Sequence, residues 1–132
     1  LLDTIHLTEK FNVSADAVYK AWLDSDSHTD MTGGEAECSD EIGDTYSTWD
    51  EYITGKNISL IPYSEIIQTW RTSEFADTDP DSKLTLLLKN TESGCELTLI
   101  HENIPEGQSD YKKGWIEHYL NPMKEFFNEL SI

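Results

Sequence analysis

The sequence predicts an α+β fold in which a curved antiparallel sheet of seven strands wraps around one long C-terminal helix. Three observations predict it: strand-like segments follow one another along most of the chain, two short helices follow the first strand, and an apolar helical stripe occupies the C-terminal end. Because the loops between strand segments are too short for crossovers, we expect consecutive strands to pair antiparallel. We expect residues 1–132 to form a single domain.

The first strand and the two short helices come before the meander. Residues 3–12 alternate between apolar and polar side chains, which is typical of a half-buried strand. Ser14 is a favoured N-cap residue, and the apolar spacing after it predicts a helix over Ala15–Leu23. A shorter helix is predicted over Ser25–Met31 and ends before Gly33.

Six further strands are predicted in the middle of the chain, with glycine, proline and acidic turn residues between them. Each segment is four to ten residues long and rich in β-branched or aromatic side chains. The predicted strands are approximately Ala36–Ser39, Thr45–Asp50, Tyr52–Ile61, Ser64–Thr72, Lys83–Asn90 and Cys95–Glu102.

The last predicted element is a long amphipathic helix that begins near Ser109. Pro122 removes one backbone donor within it and is expected to kink the helix so that it follows a curved sheet. Its apolar stripe repeats at steps of three and four and comprises Tyr111, Trp115, Tyr119, Met123, Phe126 or Phe127, and Leu130.

The charge balance limits the classes of partner. Aspartate and glutamate number 26 against 9 lysines and arginines, a net charge of −17. Such a field repels nucleic-acid phosphates and anionic lipids, so neither nucleic acid nor a membrane is an expected partner. Two interpretations stay open: solubility in an acidic or salt-rich cytoplasm, or recognition of a protein with a basic patch.

The sequence gives no sign of a metal, a cofactor or secretion. No apolar run approaches the roughly 20 residues of a membrane span, and the chain starts without a signal-peptide pattern, so a cytoplasmic location is expected. Cys38 and Cys95 have no metal-ligand spacing and are expected to be free thiols. The acidic segments 24–35 and 77–88 fail as calcium loops, since Thr29 and Ser82 stand where the loop requires glycine.

Several motifs in order give the chain a resemblance to a known family. From Phe11 to Phe127 it resembles the SRPBCC or START-like superfamily, and specifically homologues of the activator of the heat-shock-protein-90 ATPase. This resemblance implies a helix-grip fold with a cleft between sheet and helix, and a chaperone-associated role. Many relatives have glycine where this chain has Glu51, so the turn after Asp50 is unusual. The motifs are Val18–Leu23, Met31–Gly33, Trp49–Asp50, Tyr52–Asn57, Ile66–Arg71, Gly114–Trp115 and Pro122–Lys124.

Inward aromatic side chains suggest an apolar ligand pocket. The alternative is an ordinary aromatic core. If there is a pocket, we expect it to open near the terminal helix and the loops at Pro62 and Asp77–Ser82. The expected lining residues are Trp49, Tyr52, Tyr63, Trp70, Leu86, Leu99, His101, Trp115 and Tyr119.

His101 is the best catalytic candidate, because it shares strand parity with apolar residues and imidazole is suited to proton transfer. Glu102 or Asp50 would then be its acid–base partner. The alternative is a hydrogen-bonded core histidine, and no Ser or Cys nucleophile accompanies it. Arg71, the only arginine, is either half of a surface ion pair or an anchor for an anionic ligand.

Three functions are therefore expected, in decreasing order of preference. The first is non-catalytic binding or sensing of a small apolar molecule in the cleft, oriented by His101 or Tyr63. The second is a co-chaperone-like protein interaction through the acidic surface, which salt would weaken. The third is a cyclase-like or hydrolase-like enzyme that uses His101.

Overall fold

The computed structural model describes residues 3–108 and 110–130, with the side chains of residues 129 and 130 left out. Six strands, two short helices and a terminal helical segment make up these residues, consistent with the helix-grip fold. The strands are β1 (Asp3–Phe11), β2 (Thr45–Thr48), β3 (Ile53–Ile61), β4 (Glu65–Thr72), β5 (Ser82–Thr91) and β6 (Gly94–Ile104). The helices are α1 (Ala15–Leu23), α2 (Ser25–Thr32), α3 (Tyr111–Trp115) and α4 (Asn121–Leu130), with a π-helical turn (Ile116–Leu120) between the last two.

All strand pairs are antiparallel, and the strand order is β1-β6-β5-β4-β3-β2. The predicted count of seven strands is wrong. Ala36–Ser39 forms only an isolated bridge, between Glu37 and Ser47. Its other backbone donors bond to α2 instead: Ala36 N–H donates to Thr29 Oγ1, and Cys38 N–H donates to an α2 serine hydroxyl. A backbone group satisfied by a helix side chain has no need of a sheet partner.

The sheet buries one face of β6 under the helices. Cys95, Leu97, Leu99 and His101 alternate with half-buried residues and are each at most 1% exposed. This strict alternation follows from the two-residue period of a strand. The prediction that His101 shares the facing of Leu97 and Leu99 is therefore confirmed.

The terminal helical segment runs along this buried face. Near its start, Trp115 contacts His101. Near its end, Phe127 packs edge-on against Phe11, which pairs with Cys95 at the opposite end of β6. The segment therefore covers the strand from its last residues to its first.

The terminal segment is irregular where Pro122 follows the π-helical turn. The N–H of Asn121 donates to the carbonyl of Ile116, one residue further back than in an α-helix. A wider turn gives the proline ring more room near the preceding carbonyls. The predicted start near Ser109 and the side chain of Leu130 lie outside the described residues.

Candidate functional site

Six buried aromatic and histidine side chains fill the space between the sheet and the first half of the terminal segment. Each is at most 4% exposed, and their rings contact one another at centroid distances of 4.4 to 6.3 Å. We call this set the aromatic cluster. Its members are Trp22, His28, Trp70, His101, Trp115 and Tyr119.

His101 uses both ring nitrogens inside this cluster. The indole N–H of Trp115 donates to Nδ1 at 3.1 Å, and Nε2 lies 2.8 Å from the hydroxyl of Ser82. Because an indole nitrogen only donates, Nδ1 accepts, and the proton of the neutral ring is on Nε2. Ser82 Oγ in turn donates a hydrogen bond to the carbonyl of Trp70 at 2.6 Å. Burial lowers the pKa of His101 to about 3, so the ring is neutral near pH 7.

The predicted acid–base partners of His101 lie elsewhere. Glu102 is the next residue on β6 and faces away from the buried side, opposite Lys83 in the register with β5. Asp50 lies in the turn between β2 and β3. The hydrogen bonds of His101 go to Trp115 and Ser82 instead, and a catalytic role for it stays a prediction.

A second buried histidine joins α2 to the terminal segment. His28 Nδ1–H donates to the carbonyl of Trp22 at 2.8 Å, and its Nε2 lies 3.0 Å from the hydroxyl of Tyr119. That hydroxyl is also 3.2 Å from Thr48 Oγ1 on β2. Burial lowers the pKa of His28 to about 4, against the opposing effect of the Trp22 carbonyl. Sequence analysis considered His28 only within the rejected calcium-loop segment 24–35 and did not predict its burial, because nothing local to α2 marks it as buried.

A groove of about 510 Å³ opens beside the aromatic cluster. It lies between the β2–β3 turn and the first turns of the terminal segment, and the rings of Trp70 and Trp115 border it from the interior. Its volume falls within the roughly 300–1,000 Å³ of small-molecule sites. The lining residues that are exposed or half-buried are Trp49, Tyr52, Asp110, Tyr111, Lys113, Gly114, Glu117 and His118.

Each wall of the groove contains a backbone feature that lowers stability: left-handed residues on one wall and a glycine within a helix on the other. Trp49, Asp50 and Glu51 are consecutive at φ 54°, 55° and 69°, where L-residues other than Asn or Asp are uncommon. The chain therefore adopts the positive φ at Glu51 that the sequence made unexpected. On the opposite wall Gly114 is the second-last residue of helix α3, which ends at Trp115 before the π-helical turn. A Cβ added at Gly114 would meet no atom within 4 Å, so no neighbouring atom requires glycine there.

Polar groups border the groove at two places. On the helix, Asp110 accepts from the backbone N–H of Lys113, whose ammonium lies 3.9 Å from Glu117. At the other place the hydroxyl of Tyr52 donates to Glu74 at 2.7 Å, and the hydroxyl of Tyr111 lies 3.5 Å from the same oxygen. Burial, followed by the bond to Glu74, raises the pKa of Tyr52.

The nine predicted pocket residues divide into three groups. Trp49, Tyr52, Trp70, Trp115 and Tyr119 line the groove. The others do not: Leu86, Leu99 and His101 are core residues at most 1% exposed, and Tyr63 packs on Tyr19 at a separate surface depression that includes Pro62. The groove lies beside the terminal segment, and neither Pro62 nor the loop Asp77–Ser82, both named in the prediction, lines it. Ligand binding by these residues stays a prediction.

Arg71 holds a loop in place. Its guanidinium forms an ion pair with Asp81 at 2.8 Å and donates to the carbonyls of Asp79 and Ala76. These bonds occupy the planar donor fork that an anionic ligand would need. Among its two interpretations, the geometry favours the ion pair.

Sequence analysis missed three groove residues that share one helix stripe. Tyr111, Gly114 and His118 follow one another at steps of three and four, so they lie on one side of the helix. That spacing could have identified them. An apolar-stripe search overlooks glycine and histidine, and it placed Tyr111 on the apolar stripe without assigning it to the pocket.

Within residues 3–108 and 110–130, no helix is long and apolar enough to cross a membrane. Cys38 and Cys95 carry free thiols, and burial raises the pKa of Cys38 to about 12 and that of Cys95 to about 11. Both thiols are therefore protonated near neutral pH.

Comparison with known proteins gives one family match over most of the chain. The model of the family "Activator of Hsp90 ATPase homolog 1-like protein" matches residues 12–128. A curated relative, the activator of 90 kDa heat shock protein ATPase homolog of Dictyostelium discoideum, is 26% identical over 97% of the chain. The chain spans only 34% of the length of that relative.

Solved structures share the fold. An HSP90 activator from Plasmodium falciparum superposes with a TM-score of 0.86 at 21% identity, covering 95% of this chain and 96% of that one. The Aha1 dimer from Colwellia psychrerythraea gives a TM-score of 0.79 at 15% identity, covering 95% and 96%. At these identities the likeness concerns the arrangement of strands and helices.

Proposed function

Because the chain belongs to the family of Activator of Hsp90 ATPase homolog 1-like proteins, we propose that it is a co-chaperone-like module that binds an Hsp90-type chaperone and raises its ATPase rate. The observation that carries this proposal is the family match over residues 12–128. One relative is named an activator of 90 kDa heat shock protein ATPase homolog, and one structural neighbour is named an HSP90 activator. The proposal concerns residues 1–132 as one domain acting in the cytoplasm, a reducing compartment that suits two free cysteines.

The charge of the chain supports a mode of binding. With a net charge of −17, the surface attracts a basic patch on a partner and accelerates encounter. Glu117 lines the groove, and the exposed residues Asp50 and Glu51 lie in the turn between the lining residues Trp49 and Tyr52. A complex formed in this way weakens as salt screens the exposed charges.

The proposal is tested by titrating the chain against a purified Hsp90-type chaperone and measuring binding and ATPase rate together. We expect saturable stimulation at about 50 mM salt, and affinity at least about tenfold weaker at about 300 mM. An acidic protein of similar size and charge from another family is the control for nonspecific attraction. Absence of binding at low salt would contradict the proposal.

The groove supports a second candidate function, the binding of a small molecule with apolar surface. Three of the four tryptophans line it, so their fluorescence should report an occupant. Titration with an environment-sensitive apolar dye is the measurement. Gly114→Leu places a side chain in the groove and should reduce dye binding, whereas Ile58→Leu, at an exposed site on β3, should not.

An enzymatic function stays the least supported alternative. His101 is fully buried, and its two nitrogens bond to Trp115 and Ser82. A substrate would have to displace those bonds to reach it. The geometry therefore favours a module that binds over one that catalyses.

A further inference from the structure

We propose that the groove beside the terminal segment is a binding site for an organic cation, a substituted ammonium group with an apolar body. This rests on the second candidate function, small-molecule binding in the groove, and deepens it by naming the chemical class of the ligand; it holds whether or not a chaperone binds. Three properties of the groove carry it: a shape kept open at a cost in stability, aromatic walls, and two lining carboxylates against one lining lysine in a chain of net charge −17.

The open shape is the first property. Glycine inside a helix costs about 0.5–1 kcal/mol relative to alanine, and Gly114 has free space where a side chain would stand. The facing turn holds three residues, Trp49 to Glu51, in the left-handed region. Both features lower stability, and both border the same groove. Because keeping the groove open lowers the stability of the fold, the groove is better explained as a ligand site than as a by-product of core packing.

The aromatic walls are the second property. Trp49, Tyr52 and Tyr111 are half-buried at the sides, and Trp70 and Trp115 lie deeper. The faces of such rings carry partial negative charge and attract alkylammonium groups, by about 0.5–2 kcal/mol per well-placed ring. A neutral apolar ligand gains the same contact area without this attraction.

The charges around the groove are the third property. On the helical wall Asp110 and Glu117 stand against Lys113, and Glu74 lies between the hydroxyls of Tyr52 and Tyr111. Carboxylates therefore outnumber the lysine on these walls, and the whole chain adds a net charge of −17. This field favours a cation, disfavours an anion, and leaves a neutral molecule unaffected.

The test uses choline and its neutral carbon isostere, in which a tert-butyl group replaces the trimethylammonium group. Indole N–H signals of the four tryptophans are followed by NMR during titration at constant ionic strength. We expect choline to shift Trp49, Trp70 and Trp115 more than Trp22, which does not line the groove, and to bind about tenfold more tightly than the isostere. Equal binding of the two, or shifts that do not saturate, would overturn the proposal.

Two variants locate the site. Gly114→Leu should abolish the choline shifts, provided that circular dichroism shows an intact fold. Glu117→Gln removes one carboxylate from an exposed position and should weaken choline by about two- to fivefold without changing the isostere. Glu125→Gln on α4 removes the same charge away from the groove and is the matched control. An equal loss from Glu117→Gln and Glu125→Gln would show a diffuse charge effect and contradict the site.

Because chaperone binding is measured separately, the two proposals fail separately. Loss of ATPase stimulation with choline binding intact would refute only the co-chaperone role. Loss of choline selectivity with stimulation intact would refute only the cation site.

Discussion

The two ends of β6 lie under the same terminal segment and are filled in different ways. At the Cys95 end, Phe11, Met123 and Phe127 pack with apolar neighbours, and Met123 and Phe127 are completely buried. At the His101 end, the interior is built from rings joined by hydrogen bonds, and the groove opens beside it. Dispersion and burial suffice at the first end, whereas the second end also requires particular partners for each polar atom. The closed end therefore supplies stability, and the polar end fixes the geometry of the groove.

The largest effect should come from emptying the apolar end. Phe127→Ala removes a fully buried ring and should lower the free energy of unfolding by about 3–5 kcal/mol, through lost burial and the cavity left behind. Urea unfolding followed by far-ultraviolet circular dichroism measures it. Ile58→Ala, at a side chain 49% exposed, should change stability by less than about 0.5 kcal/mol. A loss at Phe127 no greater than at Ile58 would show that the two ends do not differ as described.

Acid should act on the polar end. The pKa values of His28 and His101 fall from 6.5 to about 4 and about 3 on folding, so the unfolded chain binds protons more readily. The two neutral histidines contribute fully to the free energy of unfolding above pH 6.5. This contribution is lost as the pH falls towards their pKa values in the folded protein. The expected loss is about 3 kcal/mol for His28 and somewhat more for His101.

Protonation of the many carboxylates opposes this loss by reducing repulsion, so variants isolate it. His101→Gln should be destabilised at about pH 7, and its deficit relative to the parent should shrink by a few kcal/mol by about pH 4. Ile58→Leu, at an exposed side chain that carries no titratable group, is the control and should follow the parent at every pH. A deficit for His101→Gln that is independent of pH would contradict the burial account.

A smaller effect should follow from breaking one link of the polar end. Ser82→Ala leaves the Nε2–H of His101 without its acceptor and should cost about 1–3 kcal/mol. The indole N–H signal of Trp115 should shift as well, since it donates to the same ring. Ser73→Ala, at an exposed serine, is the control and should be near neutral. Equal stability of the two variants would mean that the hydrogen-bond chain contributes nothing.

The smallest effect, with the opposite sign, should come from the groove walls. Gly114→Ala should raise the free energy of unfolding by about 0.5–1 kcal/mol, because alanine has a higher helix propensity than glycine and the new Cβ meets open space. Gly34→Ala is the contrasting variant, since its Cβ would stand 2.3 Å from the Trp49 ring. Thermal unfolding measures both. Destabilisation by Gly114→Ala would show that the fold itself requires glycine at this position, and that the glycine is not there only to leave the groove open.

Much of the architecture is local enough to be predicted from the sequence. α1 was predicted at its observed bounds, and the bounds predicted for β5 and β6 are within two residues, because periodicity and turn residues act over a few positions. The family resemblance is confirmed by the match over residues 12–128. The prediction failed at Ala36–Ser39, where hydroxyls of α2 take the backbone donors that a sheet neighbour would have used.

The candidate site was predicted only in part, for a physical reason. Parity on β6 was enough to bury His101, and helical spacing was enough to turn Trp115 inward. Whether an inward ring fills the core or borders a groove depends on the residues that contact it from distant parts of the chain, such as Ser82 for His101 and Trp49 for Tyr119. Periodicity therefore determined which side chains face inward, and tertiary packing alone decided which of them contact one another and where space is left between them.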